Sequence, residues 1–316
     1  MTESRFDMMS NELGARFGLP EVWIGLGTAL AADGPEISAA LIALIKGAHD
    51  TSVGVIVGSN SFNLAAMIGL SALLFGAVRV SRKTLVLEGT VSIVITLVVI
   101  ALLLGWLGVL VAVVLIVLVL APYLILVVGG YDRASRLGLR RLAALALEKD
   151  AIEGDARDHA AAHRAVEFAT HHHIALMVVD FALIVAGSFG MVEAALALGR
   201  HWGLAGGVIG ALILAPLTSL PNALTGVRLG SAGRGAALVT ETLNSNTINL
   251  VAGVALPALF VSLAARSADD RLDLALLATS TIAAVVLLTP HRGLRRPGAA
   301  IIIGLYAAFV AVTLSS

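Results

Sequence analysis

Two stretches of the chain, GPEISAALIALIKGAHDTSVGVIVGSNSFNL and LPNALTGVRLGSAGRGAALVTETLNSNTINL, carry the same landmarks in the same order, 186 positions apart. Pro35 matches Pro221, Gly47 matches Gly233, Ser59-Asn60 matches Ser245-Asn246, Asn63 matches Asn249 and Leu64 matches Leu250. An internal repeat of this length in apolar sequence points to a protein built from two related halves. The place where the halves meet is then the place to look for a ligand.

The setting of the repeat excludes a soluble fold. Hydrophobic residues make up 58% of the chain and charged residues 13%, against about 25% charged in ordinary soluble domains. Mean hydropathy is +0.95. The sequence therefore reads as an all-α polytopic membrane protein whose partner is the lipid bilayer, with no nucleic acid. Net charge is zero and Cys is absent, so disulfides and thiolate metal sites are excluded. Nothing in the sequence sets an oligomeric state.

Nine apolar runs are long enough to cross a bilayer, at about 22–46, 53–78, 85–104, 107–128, 174–198, 207–227, 236–264, 272–289 and 299–315. They are continuously apolar, whereas barrel strands alternate over about ten residues. The substantial polar segment, 130–173, begins with RASRLGLRRLAALALEKD, the pattern of a basic amphipathic helix at the membrane surface. The expected organisation is an N-terminal half, 1–129, with a first ion-binding repeat at about 22–79; a linker, 130–173; and a C-terminal half, 174–316, with a second repeat at about 207–264.

Seventeen of the 21 Lys and Arg residues fall in one set of alternate segments: the N-terminus, 79–84, 129–173, 228–235 and 290–298. Positive segments stay in the cytoplasm, which predicts a cell-membrane protein with its N-terminus and central loop inside and its C-terminus outside. The two repeats then run in opposite senses, an inverted-topology pair. Nine spans do not divide into equal halves. ELGARFGLPEVWIG (12–25) resembles ALGRHWGLAGGVIG (197–210), and the latter closes a full span. The expectation is a five-plus-five design whose first helix is missing, through a late-assigned start or through loss.

The motifs G-[ST]-S-x-P-E and G-S-N-x-x-N, in two inverted copies, resemble those of the sodium/calcium exchanger and calcium/cation antiporter superfamily. GSNSFN (58–63), TSLPN (218–222) and NSNTIN (244–249) are the matching segments. The resemblance implies cation exchange by alternating access, with motif carboxylates, hydroxyls and amides as ligands. Carried over to this chain, the ion-binding set is Asp33, Glu36, Ser59, Asn63, Thr218, Ser219, Asn222, Glu241, Ser245 and Asn249. Pro35 and Pro221 mark helix breaks, and Glu36 and Glu241 are the expected metal carboxylates. Ca2+, Na+ and H+ are the transported ions implied, with no resident cofactor.

Those residue types suit the chemistry independently. Dehydrated Na+ and Ca2+ take oxygen ligands, Ca2+ six to eight of them. A proline inside a membrane helix frees backbone carbonyls, which is tolerated where they line a cavity. A carboxylate at the depth of Glu36 costs about 2.5–3.5 kcal/mol on insertion scales and calls for a cation or proton partner.

Several positions depart from the superfamily pattern. Asn222 stands where the pattern has Glu, Asp33 stands at a hydroxyl position, Asn244 replaces Gly, and Glu241 replaces Asn. Glu241 precedes Ser245 by four residues and Asn249 by eight, on roughly one helical face. Asp33, Glu36 and Glu241 together would restore the charge lost at Asn222.

Plainer readings stand beside these. Asn60, Asn63, Asn246 and Asn249 also suit interhelical hydrogen bonding, with Gly54, Gly58 and Ser59 allowing close packing. Thr218 and Ser219 also suit bonding back onto their own helix. His49 and Asp50 read as solvated loop residues, the His171-His172-His173 tract as juxtamembrane, and Asp180 and Glu193 as gating charges or helix-end residues. No phosphate loop, Ser-His-Asp set or zinc helix is present, so the chain is not read as an enzyme. Two function classes follow: a secondary antiporter, or a non-transporting or degenerate regulator on the same scaffold.

Overall fold

The computed structural model describes residues 32–136, 170–265, 268–289 and 293–315. Ten helices and one two-stranded pairing carry the fold. α1 is Gly34–Ile45, α2 is His49–Phe75, α3 is Arg82–Leu103, α4 is Val109–Arg136 and α5 is Thr170–Trp202. α6 spans Gly206–Thr218 and α7 spans Leu220–Ser231, meeting at a 47° bend. α8 is Gly235–Leu250, extended by a wide π turn at Val251–Ala255; α9 is Ala268–Leu288 and α10 is Arg296–Ser315. β1 (Ala77–Val78) pairs antiparallel with β2 (Leu294–Arg295).

Among the described residues, six helices are long and apolar enough to cross a membrane, and a seventh crossing results if the bent α6–α7 pair counts as one. The expected runs at 53–78, 85–104, 107–128, 174–198, 272–289 and 299–315 correspond to these six. Two other runs differ. The run at 22–46 is described only from its C-terminal part, where α1 is twelve residues long. The run at 236–264 is helical to Ala255, but Asn, Ser, Thr and Glu in α8 dilute its apolar character. His49 and Asp50 are not in a loop, since they open α2. The stretch 12–25, on which the expectation of a missing first helix rests, and most of the amphipathic segment after residue 136 lie outside the described residues, as do the His171–His173 side chains.

The sequence repeat is a repeat of conformation. α1 and α7 begin and end 186 positions apart, each with Pro in its first turn. Their N-caps match, with φ/ψ of −89°/3° at Asp33 and −88°/1° at Ser219. Gly47 and Gly233 close the two helices at φ of 76° and 70°, the left-handed region that glycine reaches without a Cβ penalty. α2 and α8 then start at corresponding positions. Each changes to a π turn at a corresponding place, Leu64–Gly69 and Val251–Ala255.

Small residues let these elements touch at backbone distance. A Cβ on Gly210 of α6 would lie 2.3 Å from the Thr51 carbonyl oxygen, and one on Gly58 of α2 would lie 2.6 Å from Ala211. Two apolar cores flank the contact. One gathers Val55, Ile56 and Val57 with Leu250 and Val254; the other gathers Leu64, Met67 and Ile68 with Leu238, Val239 and Leu243. On α2 the gap between the cores is Gly58–Asn63, and on α8 it is Asn244–Asn249. Both motifs therefore lie in one polar belt between two apolar cores.

Candidate functional site: an oxygen-lined cation cluster

In that belt the helix starts of α1 and α7 face the middle of α2 and α8. Asp33, Glu36, Ser59, Asn63, Thr218, Ser219, Asn222, Ser245 and Asn249 are all buried, none more than 3% exposed. The centre is the Asn222 amide. Its Nδ2 donates to Glu36 Oε1 at 3.0 Å and to Asp33 Oδ1 at 3.2 Å, and lies 3.4 Å from Ser245 Oγ. Ser245 Oγ donates to Asp33 Oδ1, and Asn63 Nδ2 donates to Ser245 Oγ at 3.3 Å. Residues 189 and 212 positions away thus converge on Asp33, so both copies of the repeat build one cluster.

Helix starts are suited to this position. The first-turn N–H groups of α1 and α7 have no partner within their helices, and the positive end of each helix dipole favours carboxylates there. Asp33 occupies the N-cap of α1 and Glu36 its first turn. The backbone carbonyls of Asp33 and Ser219 accept from Ile37 N and Ala223 N, each at 3.0 Å, which gives the two helix starts the same geometry.

Further oxygens are free to bind a cation. Asn63 Oδ1, Ser219 Oγ and both side-chain heteroatoms of Asn249 are buried without a hydrogen-bond partner, an arrangement costly for a buried polar group unless something binds it. Two other members turn their protons elsewhere. Ser59 Oγ donates to Val55 O at 2.6 Å, and Thr218 Oγ1 lies 2.9 Å from Leu214 O, the back-bonding expected of membrane hydroxyls. Their oxygen lone pairs stay available. Asn60 and Asn246 lock the halves together instead. Asn60 Nδ2 donates to Asn246 O at 2.9 Å and Asn246 Nδ2 donates to Asn60 O at 3.2 Å, a reciprocal pair at the repeat spacing.

Glu241 stands differently. It is partly buried on α8, one turn before Ser245. Among the described residues no three His, Cys, Asp or Glu side chains form a group at metal-binding spacing. A carboxylate from the other copy meets the Asn222 amide. Asp33 is the repeat partner of Ser219 and touches the Asn222 amide directly. Pro221 lies at the 47° bend. Pro35 lies in the first turn of α1, with its carbonyl 3.3 Å from Ser188 Oγ of α5. Of the two α5 carboxylates, Asp180 is buried, and Glu193 is half-buried and pairs with Lys46, whose ammonium lies 4.6 Å from the Phe189 ring centre.

Two features were not singled out from sequence. Near the start of α2, a cavity of about 50 Å³ is lined by Asp50, Asp270 and Asp273 together with Gly54, Gly207 and Ala211. A second buried network joins Glu88 on α3, Tyr123 on α4 and Asn244 on α8. Its signals in the sequence are a Glu inside the apolar run 85–104 and an Asn at the motif position of Gly.

A helical membrane fold with a buried oxygen cluster between two conformational repeats defines a class of ion-handling integral membrane proteins. The family model described as sodium/calcium exchanger protein matches residues 5–131 and 172–315. The chain belongs to that family, whose structural relatives are exchangers and not enzymes. Across 98% of this chain and 93% of the other, the fold matches the sodium-calcium exchanger NCX_Mj with a TM-score of 0.59 at 18% identity. It matches YfkE over 100% and 89%, with a TM-score of 0.62 at 14% identity. The H+/Ca2+ exchanger CAX aligns over 99% and 82%, with a TM-score of 0.63 at 13% identity. At these identities the likeness establishes the fold. The putative antiporter CaxA of Alkalimonas amylolytica is 37% identical over 67 residues, a fifth of this chain and a fifth of CaxA.

Proposed function

We propose that the chain is a secondary antiporter that exchanges Ca2+ or another cation for Na+ or H+ by alternating access, with the two repeats arranged as an inverted pair about the polar belt. The observation that carries this reading is the convergence of Asp33 and Glu36 on one buried amide beside unpartnered amide and hydroxyl oxygens. Two carboxylates this deep need compensating positive charge. One divalent cation, two monovalent cations or two protons would supply it, and exchange among those states is antiport. NCX_Mj and CAX are named as sodium-calcium and H+/Ca2+ exchangers, which supports the same ion classes here.

In this reading Glu36 and Asp33 are the anionic ligands, and Asn63, Ser219, Asn249, Ser59 and Thr218 contribute neutral oxygens. Asn222 and Ser245 turn from hydrogen-bonding the carboxylates to coordinating the ion. The Lys and Arg distribution supports a cell-membrane location with the N-terminus and central loop cytoplasmic and the C-terminus outside. A second reading, a non-transporting regulator, is favoured by one contact. The Asn222 amide donates to both carboxylates, as a structural cross-link between the two copies would.

The deciding experiment is flux in proteoliposomes across a panel of Ca2+, other divalent ions, Na+ and pH gradients, with Glu36→Gln as control. Counter-gradient uptake that vanishes in Glu36→Gln is the expected result. Cation binding without flux would establish the regulator, and undiminished flux in Glu36→Gln would place the site elsewhere.

A further inference from the structure

Away from the cation cluster, three helices meet at a second polar group. Glu88 on α3 is 6% exposed and Tyr123 on α4 is 8% exposed, and Asn244 on α8 is partly buried. The Tyr123 hydroxyl oxygen lies 2.8 Å from Glu88 Oε2 and 2.8 Å from Asn244 Oδ1. A phenol has one proton, while a carboxylate and an amide oxygen both only accept. The hydroxyl cannot serve both contacts at once.

Two arrangements satisfy the three groups. In the first, Glu88 is a carboxylic acid whose O–H donates to the Tyr123 oxygen, and Tyr123 donates to Asn244 Oδ1. In the second, Glu88 is ionised and takes the Tyr123 proton. The Asn244 amide must then turn so that its Nδ2–H donates to Tyr123. Oδ1 of Asn244 faces the hydroxyl, the amide orientation that the first arrangement requires.

The surroundings favour it as well. Among the described side chains, the titratable group touching Glu88 is Tyr123. On the elements packed against α3, α8 carries Glu241 one turn before Asn244, and α9 carries Asp269, Asp270, Arg271 and Asp273 in its first turns. α9 crosses α3 with Val285 against Gly89. Its charged end is therefore twelve or more residues away, about 18 Å along the helix. On α3 itself, Arg82 and Lys83 are exposed in the first turn. No cation among these is placed to neutralise an ionised Glu88, and a charge on a membrane-spanning helix without a counter-charge is expensive.

We propose that Glu88 is a proton-binding site distinct from the cation cluster, and that its protonation sets which way the Asn244 amide faces. Binding is the uptake of one solvent proton by the carboxylate; no other bond is made or broken. The readout lies one residue along α8, because Asn244 precedes Ser245, whose hydroxyl bonds Asp33. A proton on Glu88 and a cation at Asp33 and Glu36 then bias the same helix. This coupling rests on the antiporter reading, whereas the proton site does not.

Infrared difference spectroscopy on the full chain in lipid tests the site without transport. Wild-type protein minus Glu88→Gln at neutral pH should show the carbonyl stretch of one protonated carboxyl. Tyr123→Phe should keep that band and shift it, since its hydrogen-bond partner is gone. No band difference between wild type and Glu88→Gln at any pH would overturn the proposal. Gln has the shape and donor of a protonated Glu, so Glu88→Gln should fold and hold Ca2+ flux at its low-pH wild-type form. Asn244→Gly should retain the carboxyl band but lose the same portion of the pH dependence of flux. Superimposable pH profiles for wild type, Glu88→Gln and Asn244→Gly would overturn the coupling. A carboxyl band in wild-type protein that shows no flux would instead defeat the antiporter reading and leave the proton site in place.

Discussion

The two halves of the cluster share a backbone and differ in charge. α1 and α7 have matching bounds, matching N-cap angles and a proline in the same turn. Yet the first half brings Asp33 and Glu36, while the corresponding residues of the second are Ser219 and Asn222. Both charges have gathered on one side of the site, and the opposite side supplies amide and hydroxyl groups that reach across to them. The local fold is fixed by the Pro, Gly and small residues common to both copies. The side chains of the proposed site are a separate layer, which differs between the copies without disturbing that fold.

The most damaging break in this asymmetry is Glu36→Gln. It removes one of two buried anions while keeping the side-chain shape, and loss of a buried charge partner is worth about 3–5 kcal/mol. Cation-dependent flux should fall by at least about two orders of magnitude, with membrane insertion and thermal stability retained; near wild-type flux would remove Glu36 from the site. Asp33→Asn should come next. It leaves one carboxylate, so divalent affinity should drop on the order of tenfold to a hundredfold while a monovalent ion or proton is still held. An unchanged preference for divalent ions would show that Asp33 is not a ligand.

A sharper test moves the charge between halves. Asp33→Ser with Asn222→Glu makes the two copies more alike and keeps two carboxylates at the meeting point. The double variant should recover at least about tenfold of the flux lost in Asp33→Ser alone, a coupling of about 1.4 kcal/mol or more. Additive losses would mean that the two positions do not share an ion. The smallest effect belongs to Glu241→Gln. Because Glu241 does not join Asp33 and Glu36 in a metal-spaced group, flux and cation affinity should change by less than about threefold, under roughly 0.7 kcal/mol. A collapse comparable to that of Glu36→Gln would restore it as the compensating carboxylate.

Much of this was legible in the sequence, because it rested on local rules. The repeat spacing located α1, α2, α7 and α8, and Pro35, Pro221, Gly47 and Gly233 marked their ends. Which carboxylate answers Asn222 was harder to read. Glu241 lies on the face of Ser245 and Asn249 by helical periodicity, but periodicity says nothing about which side chain a neighbouring helix approaches. Asp33 sits at an N-cap aimed across the repeat interface, a direction fixed only by the packing of α1, α7 and α8. The Glu88, Tyr123 and Asn244 network was hidden for the same reason. Its members are 35 and 121 positions apart, and each alone looks like an isolated polar residue in an apolar helix. Span counting is least decisive where polar groups dilute hydrophobicity: α8 carries the motif Asn, Ser and Thr residues, and α6–α7 is bent by 47° between Thr218 and Leu220.

The wide turns at Leu64–Gly69 and Val251–Ala255 bear on ancestry. A π turn holds one residue more than an α turn closing the same stretch of helix, and such an extra residue shifts every side chain beyond it around the axis. Two independent insertions at the same place in two copies would be a coincidence. One insertion in a single ancestral half, copied when the gene doubled, needs none. The helix register that aims both asparagine motifs at a common centre is therefore older than the duplication. The differences between Asp33 and Ser219 and between Glu36 and Asn222 lie within that shared frame, which holds its register whichever side chains it carries.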